Sequence, residues 1–130
     1  MFKAKDKKFE CESPEKVDRG VLEVFDYTYP GKDITVVTTT EELTSVCPFS
    51  GLPDFGKVTI EYVPSEKVIE LRSLKYYLLQ YRNVGIYYEH LVNKLLDDLV
   101  ATCCPKTMTV AIDFTTRGGL RTSVKAHYPR

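Results

Sequence analysis

Between Lys57 and Val63 the chain alternates, with Val58, Ile60 and Tyr62 on one side of an extended segment and Thr59 and Glu61 on the other. Successive side chains of a β-strand point to opposite faces, so this pattern predicts a half-buried antiparallel strand. The pattern returns where Met108, Val110, Ile112 and Phe114 interleave with Thr107, Thr109, Ala111 and Asp113. Two sheet segments with one dry face each need a partner layer, and the sequence between them supplies it.

A first helix is predicted from near Ser73, its candidate cap, with Leu74, Tyr77, Leu78 and Tyr81 at helical spacing and Asn83 and Gly85 at its end. A second is predicted from about Ile86 to Thr102, where Leu91, Val92, Leu95, Leu96 and Leu99 form one apolar stripe and Lys94, Asp97 and Asp98 fall on the wet side. Upstream, Val21 to Tyr29 and Asp33 to Thr40 read as strands around a Pro30-Gly31 turn. Pro64-Ser65 with Glu66 and Lys67 turns into a short strand, Val68 to Leu71, and Arg117-Gly118-Gly119 turns into a last one, Leu120 to His127. Strands, two helices, then strands predict an α+β fold: a mostly antiparallel sheet with two helices on one face.

A length of 130 residues suits one domain. Residues 1–20, rich in lysine and glutamate, read as a flexible or loosely docked arm, and residues 21–130 as the domain itself. Eighteen basic and eighteen acidic side chains cancel, so no global field draws the protein to nucleic acid or to an anionic membrane. No apolar run approaches the ~20 residues of a membrane span, and Met1 to Glu12 holds no apolar signal core. A cytoplasmic protein is expected, with its four cysteines as thiols. Those cysteines make no C-x-x-C pair, and the adjacent Cys103 and Cys104 are a poor ligand pair for one tetrahedral zinc, so no structural metal is expected.

Three segments carry candidate chemistry. Cys47-Pro-Phe-Ser-Gly-Leu-Pro-Asp54 is rich in turn formers and holds a cysteine and a carboxylic acid seven residues apart. Free backbone N–H groups in a turn favour a reactive thiolate, and a carboxyl group beside it can supply protons. A small buried cysteine and a turn aspartate read the same way. Glu70-Leu71-Arg72-Ser73-Leu74-Lys75 runs into a helix start, where cations and free N–H groups can hold phosphate; a solvated amphipathic helix start is the plainer reading. Glu89, in the first turn of the second helix, can accept paired hydrogen bonds from a guanine-like N1–H and amine, although acidic residues favour that turn for dipole reasons alone. His90 is a possible acid–base group, and a lone exposed histidine is more often inert. The glycines after Arg117 fit either a hairpin or a phosphate-binding turn.

Together these segments resemble the NADPH-dependent 7-cyano-7-deazaguanine reductases. The likeness rests on Thr44-Ser-Val-Cys47-Pro-Phe-Ser-Gly51-Leu-Pro-Asp54-Phe, on Glu70-Leu-Arg-Ser-Leu-Lys-Tyr-Tyr77, on Tyr81-Arg-Asn-Val-Gly85, and on a later Arg117-Gly-Gly. It covers about residues 20 to 128. The resemblance implies the tunnelling fold, in which antiparallel sheets of several subunits join into a barrel with helices outside and active sites between subunits. It implies that Cys47 adds to a nitrile as a thioimide, that Asp54 supplies protons and that Glu89 and Tyr88 hold the deazapurine. NADPH would be held by Glu70, Leu71, Arg72, Ser73, Lys75, Arg117 and Gly118. The product would be the aminomethyl base used in queuosine tRNA modification, made on a free small molecule, so no direct contact with nucleic acid is implied.

Two departures from the family pattern stand out. Arg72 replaces a lysine, and Tyr88 stands where the family usually has histidine. His90 lies about 200° around the helix from position 88 and cannot take its place. Three other readings are open: an amidinotransferase acting on the nitrile base in tRNA, a GTP cyclohydrolase-like enzyme, which would need a zinc set this chain lacks, and a non-catalytic purine-binding domain.

Overall fold

In the computed structural model, which describes residues 9–130, the element order is β1 (Val24–Asp26), β2 (Val36–Val46), β3 (Pro53–Val63), β4 (Lys67–Ile69), α1 (Leu71–Leu79), α2 (Tyr88–Cys103), β5 (Thr107–Phe114) and β6 (Ser123–Tyr128). Four strands form one antiparallel sheet in the order β2-β3-β5-β6, and β1 pairs with β4 in a small second sheet. The predicted α+β architecture with an antiparallel sheet is what is found. The two alternating segments are direct neighbours: Val58 lies opposite Ile112, Ile60 opposite Val110 and Tyr62 opposite Met108.

These six side chains are buried, and α2 lays Leu91, Leu95, Leu96 and Leu99 over them. The helix α1 adds Leu74, Tyr77 and Leu78 from one side. A sheet with alternating polarity, covered on its apolar face by helices whose stripes repeat at 3.6 residues, forms one continuous core.

Several boundaries differ from the pattern reading, each for a local reason. The carboxylate of Asp18 accepts from the Gly20 N–H at 2.8 Å and caps a 3-10 turn over Arg19–Val21, which shortens the first strand to β1. A bulge between Thr40 and Leu43 lets β2 continue to Val46. Helix α1 starts earlier than expected because Glu70, not Ser73, caps it: the Glu70 carboxylate accepts from the N–H groups of Arg72 and Ser73 at 2.8 and 2.7 Å. After Leu79 it tightens into a 3-10 turn over Gln80–Asn83.

Of the expected N-terminal arm, residues 1–8 lie outside the described residues. From Phe9 onward it is fastened to the domain. Glu12 bridges Val84, Val17 is buried, and Asp18 and the Gln80 side chain exchange two hydrogen bonds.

Asp98 is a clear correction, since the helical stripe placed it on the wet side. It is only 8% exposed. The Tyr77 hydroxyl donates to Asp98 Oδ2 at 2.5 Å and lies 2.8 Å from the Tyr81 hydroxyl, while Lys94 Nζ is 3.3 Å from the same carboxylate. Burial pushes both phenols far above their ordinary range. Helix α1 packs beside α2 closely enough to turn a flank residue into a buried one, which the periodicity of α2 alone does not reveal.

Removing a buried group with partners strands those partners, which costs about 1–3 kcal/mol. Asp98→Ala is therefore expected to lower stability by that amount in urea unfolding. Asp97→Ala, whose carboxylate meets Arg130 in solvent, should stay within about 0.5 kcal/mol.

Candidate active site

Cys47 follows the last residue of β2, and Asp54 is the second residue of β3. Val46 pairs with Pro53 and Ser45 with Asp54, so the hairpin brings cysteine and carboxylate to the same end of the sheet. The loop between them is a tight turn: Gly51 N–H donates to Cys47 O at 2.7 Å and Cys47 N–H to Leu52 O at 2.9 Å. Gly51 holds φ +74°, a conformation glycine adopts without steric cost.

That turn acts on the thiol. The backbone N–H of Ser50 lowers the Cys47 pKa most; burial opposes this, and the Ser50 hydroxyl and Phe49 N–H lower it further. The Asp54 charge pushes it back up. The net direction is downward, toward the thiolate, the reactive form of cysteine.

Asp54 is 5% exposed. Its Oδ1 accepts from the Tyr88 hydroxyl at 3.0 Å and from Arg117 Nη2 at 2.8 Å. Arg117 also donates to Pro53 O at 2.8 Å, and its backbone closes a turn with Leu120 in which Gly118 and Gly119 have positive φ. The Tyr88 ring stacks on Phe114 at 3.7 Å with an interplanar angle of 15°. Burial, then the hydrogen bond to Asp54, raises the Tyr88 phenol, which keeps its proton for that bond. Tyr88, where the resembled family usually has histidine, thus reaches the acid through its hydroxyl.

Cys47, Asp54, Tyr88, Glu89, Arg117 and Thr122 line one cavity of about 320 Å³. Five residues singled out from sequence are therefore brought together: Cys47, Asp54, Tyr88, Glu89 and Arg117. Arg117, expected beside a cofactor, pairs here with the acid, and Gly118 lies in the turn that carries it. Ser50, Phe114 and Thr122 escaped sequence reasoning. Ser50 alone carried a signal, being inside the turn-forming segment.

The Glu70–Lys75 segment does not reach this cavity. Leu71, Leu74 and Lys75 line a separate groove of about 180 Å³ with Thr38, Thr40 and Glu42 of β2. At the α1 N-terminus the Glu70 carboxylate already accepts from the Arg72 and Ser73 N–H groups, which hold that carboxyl below its ordinary range. Ser73 is also committed: its hydroxyl donates to Glu70 O at 2.8 Å and accepts from Glu23 N–H at 2.9 Å. Arg72 and Lys75 are exposed on successive turns of the helix. A dinucleotide's phosphates would meet these cations, a donor set that suits them. Among the described residues, no helix is long and apolar enough to cross a membrane.

A thiol tuned toward thiolate beside a buried, anchored carboxylate, at the end of an antiparallel sheet backed by helices, is the set of groups that nucleophilic cysteine chemistry requires. Comparison with known proteins narrows the class. Residues 53–130 match the family model of QueF-like proteins. The chain is 49% identical over 128 residues to the NADPH-dependent 7-cyano-7-deazaguanine reductase of Thermoanaerobacter pseudethanolicus, covering 98% of this chain and 96% of the relative. It is 51% identical to the protein of the same name from Caldicellulosiruptor bescii, with 98% of each chain covered. Among solved structures, the apo archaeosine synthase QueF-Like superposes with a TM-score of 0.63 at 27% identity, over 73% of this chain and 91% of that one. The chain belongs to the QueF-like family.

The opposing influences on Cys47 give a directional prediction. Ser50→Ala should shift the pH profile of Cys47 alkylation upward, and Asp54→Asn should shift it downward. Iodoacetamide labelling read on the Cys47 peptide checks both.

Proposed function

We propose that this chain reduces the nitrile of 7-cyano-7-deazaguanine to the aminomethyl group with NADPH, Cys47 acting as covalent nucleophile. The carrying observation is the meeting of Cys47, Asp54 and Glu89 in one cavity, in a chain about half identical to reductases of that name.

The Cys47 thiolate attacks the nitrile carbon and one C–N π bond breaks, so the nitrogen must gain a proton as the C–S bond forms. Asp54 carries the proton lost by the thiol to that nitrogen, giving a thioimide with no net proton uptake. Tyr88 and Arg117 both bond to Oδ1, which fixes the carboxyl plane and leaves Oδ2 for the proton. Glu89, exposed at the open first turn of α2, accepts from the ring N1–H and exocyclic amine. NADPH supplies hydride, about two per nitrile because nitrile to amine is a four-electron reduction. Asp54 matches each hydride with a proton on nitrogen, and Cys47 leaves as thiolate between the two reductions.

Arg72 and Lys75 hold the cofactor's phosphates in this reading. Lys75 lines a groove that shares no residue with the Cys47 cavity, and β2 and β6 end the sheet. Both facts support a homo-oligomer in which the α1 groove of one copy faces the cavity of another, the strand edges pairing between copies. The substrate is a free base and the site needs no nucleic acid.

Two outcomes test this. Nitrile-dependent NADPH oxidation, followed by absorbance, should consume about two NADPH per nitrile and vanish in Cys47→Ala; no oxidation by a folded protein that binds the nitrile refutes the reductase. In that case conversion of the nitrile by an amine donor would favour the amidinotransferase. Co-expression of Cys47→Ala with Arg72→Ala/Lys75→Ala should yield mixed oligomers that recover activity absent from either variant alone. No recovery would place both halves of the site in one chain.

A further inference from the structure

Residues 9–12 lie outside the cavity, yet they close a ring of backbone contacts around Cys47. Phe9 N–H donates to Ser50 O at 2.9 Å. The approach is so close that a Cβ on Gly51 would stand 2.2 Å from the Phe9 carbonyl oxygen. Further on, Glu12 N–H donates to Asn83 O at 2.7 Å and Gly85 N–H donates to Glu12 O at 2.8 Å. The same segment is bonded on its other side to the end of β2: Val46 N–H donates to Val84 O at 3.0 Å and Ile86 N–H to Val46 O at 3.1 Å. Cys11 fills the space between, its sulfur 2.4 Å from where a Cβ on Gly85 would be, with Pro48 Cα on the same side at 3.3 Å. The contacts run from Cys47 through Ser50 and Gly51 to Phe9, along to Glu12, and back through residues 83–86 and Val46.

We propose that Phe9–Glu12 is a positioning strap for the nucleophile, holding the Pro48–Gly51 turn in the shape that presents its N–H groups to the Cys47 sulfur. This rests on the reading of Cys47 as nucleophile. N–H groups stabilise an anion well only when they are already oriented, and a surface turn left to itself samples other shapes. Anchoring the turn at Ser50 and the preceding strand end at Val46 removes that freedom. The strap works through its backbone, since the Phe9 side chain is 57% exposed.

The charged and titratable groups around the thiol are Asp54 from β3, Tyr87 at the cap of α2, Tyr88 and Glu89 from its first turn, and Arg117 from the turn after β5. On the strap itself are Glu10, Cys11 and Glu12. The strap's carboxylates oppose a thiolate, so a charge effect of the strap would have the opposite sign to the positioning effect.

Phe9→Pro removes the N–H that reaches Ser50 and leaves every charge in place, while Phe9→Ala keeps it. Thermal melts would establish that both fold, and the pH profile of Cys47 alkylation by iodoacetamide would be read on the Cys47 peptide. Phe9→Pro should move the profile upward and slow alkylation at pH 7 by about threefold or more, with Phe9→Ala near wild type. A Phe9→Pro profile that overlays wild type, or an equal shift in Phe9→Ala, overturns the strap. A second variant serves if Phe9→Pro does not fold. Gly85→Ala drives its methyl into Cys11, should shift the profile the same way, and should be restored by adding Cys11→Ala; no shift, or no restoration, overturns the proposal. Alkylation needs neither nitrile nor NADPH, so these results stand whether or not the protein reduces a nitrile.

Discussion

Across the hairpin of β2 and β3, Val46 faces Pro53 and Ser45 faces Asp54, and the rest of the site is arranged around this register. Side chains alternate along each strand, so a slip of one residue would send Asp54 to the opposite face, away from Tyr88 and Arg117. The bulge between Thr40 and Leu43 lies upstream of this pairing, and its irregularity is absorbed before the strand reaches Ser45. Helix α2 then enters with Tyr88 stacked on Phe114, the last residue of β5, which lies beside Gly56 of β3. A Cβ at Gly56 would stand 3.0 Å from Ile112 and 3.3 Å from Phe114, so the small residue there lets the aromatic ring lie close against the sheet.

The electrostatics of the site are a balance between groups that want opposite things. The Pro48–Gly51 turn favours the thiolate through oriented N–H groups, while the Asp54 charge disfavours it. Arg117 answers that charge directly at 2.8 Å. In the proposed mechanism a nucleophile beside its own proton carrier needs such a compromise: a bare carboxylate would hold the thiol protonated, and a distant one could not reach the nitrile nitrogen. In a low-dielectric pocket these terms are stronger than at an open surface, which is why a buried carboxylate with two donors can take part.

Much of this was legible in sequence wherever one short segment carried the whole signal. The alternating stretches around Val58 and Val110 gave two paired central strands, and the stripe of Leu91 to Leu99 gave the helix that covers them. Cys47 and Asp54 were legible because turn formers between two strands force their ends together. What escaped depended on contacts between distant segments. Asp98 is buried only because Tyr77 of another helix meets it. Nothing in the order of residues tells that the Arg117 side chain turns back to Asp54. The Glu70 and Ser73 side chains cap α1 and bond to the Glu23 backbone, contacts that the signature they belong to does not reveal. The part of residues 1–20 that is described is fastened by backbone bonds, which leave no mark in side-chain pattern.

The central claim is that Cys47 bonds covalently to the nitrile carbon. The protein should be incubated with 7-cyano-7-deazaguanine in the absence of NADPH and its intact mass recorded, followed by peptide mapping. The account predicts a mass gain equal to the whole nitrile, since addition expels nothing, located on the Cys47 peptide and absent in Cys47→Ala. An unmodified Cys47 under conditions where the nitrile is bound, or an adduct on Cys11 or Cys104 instead, would contradict it.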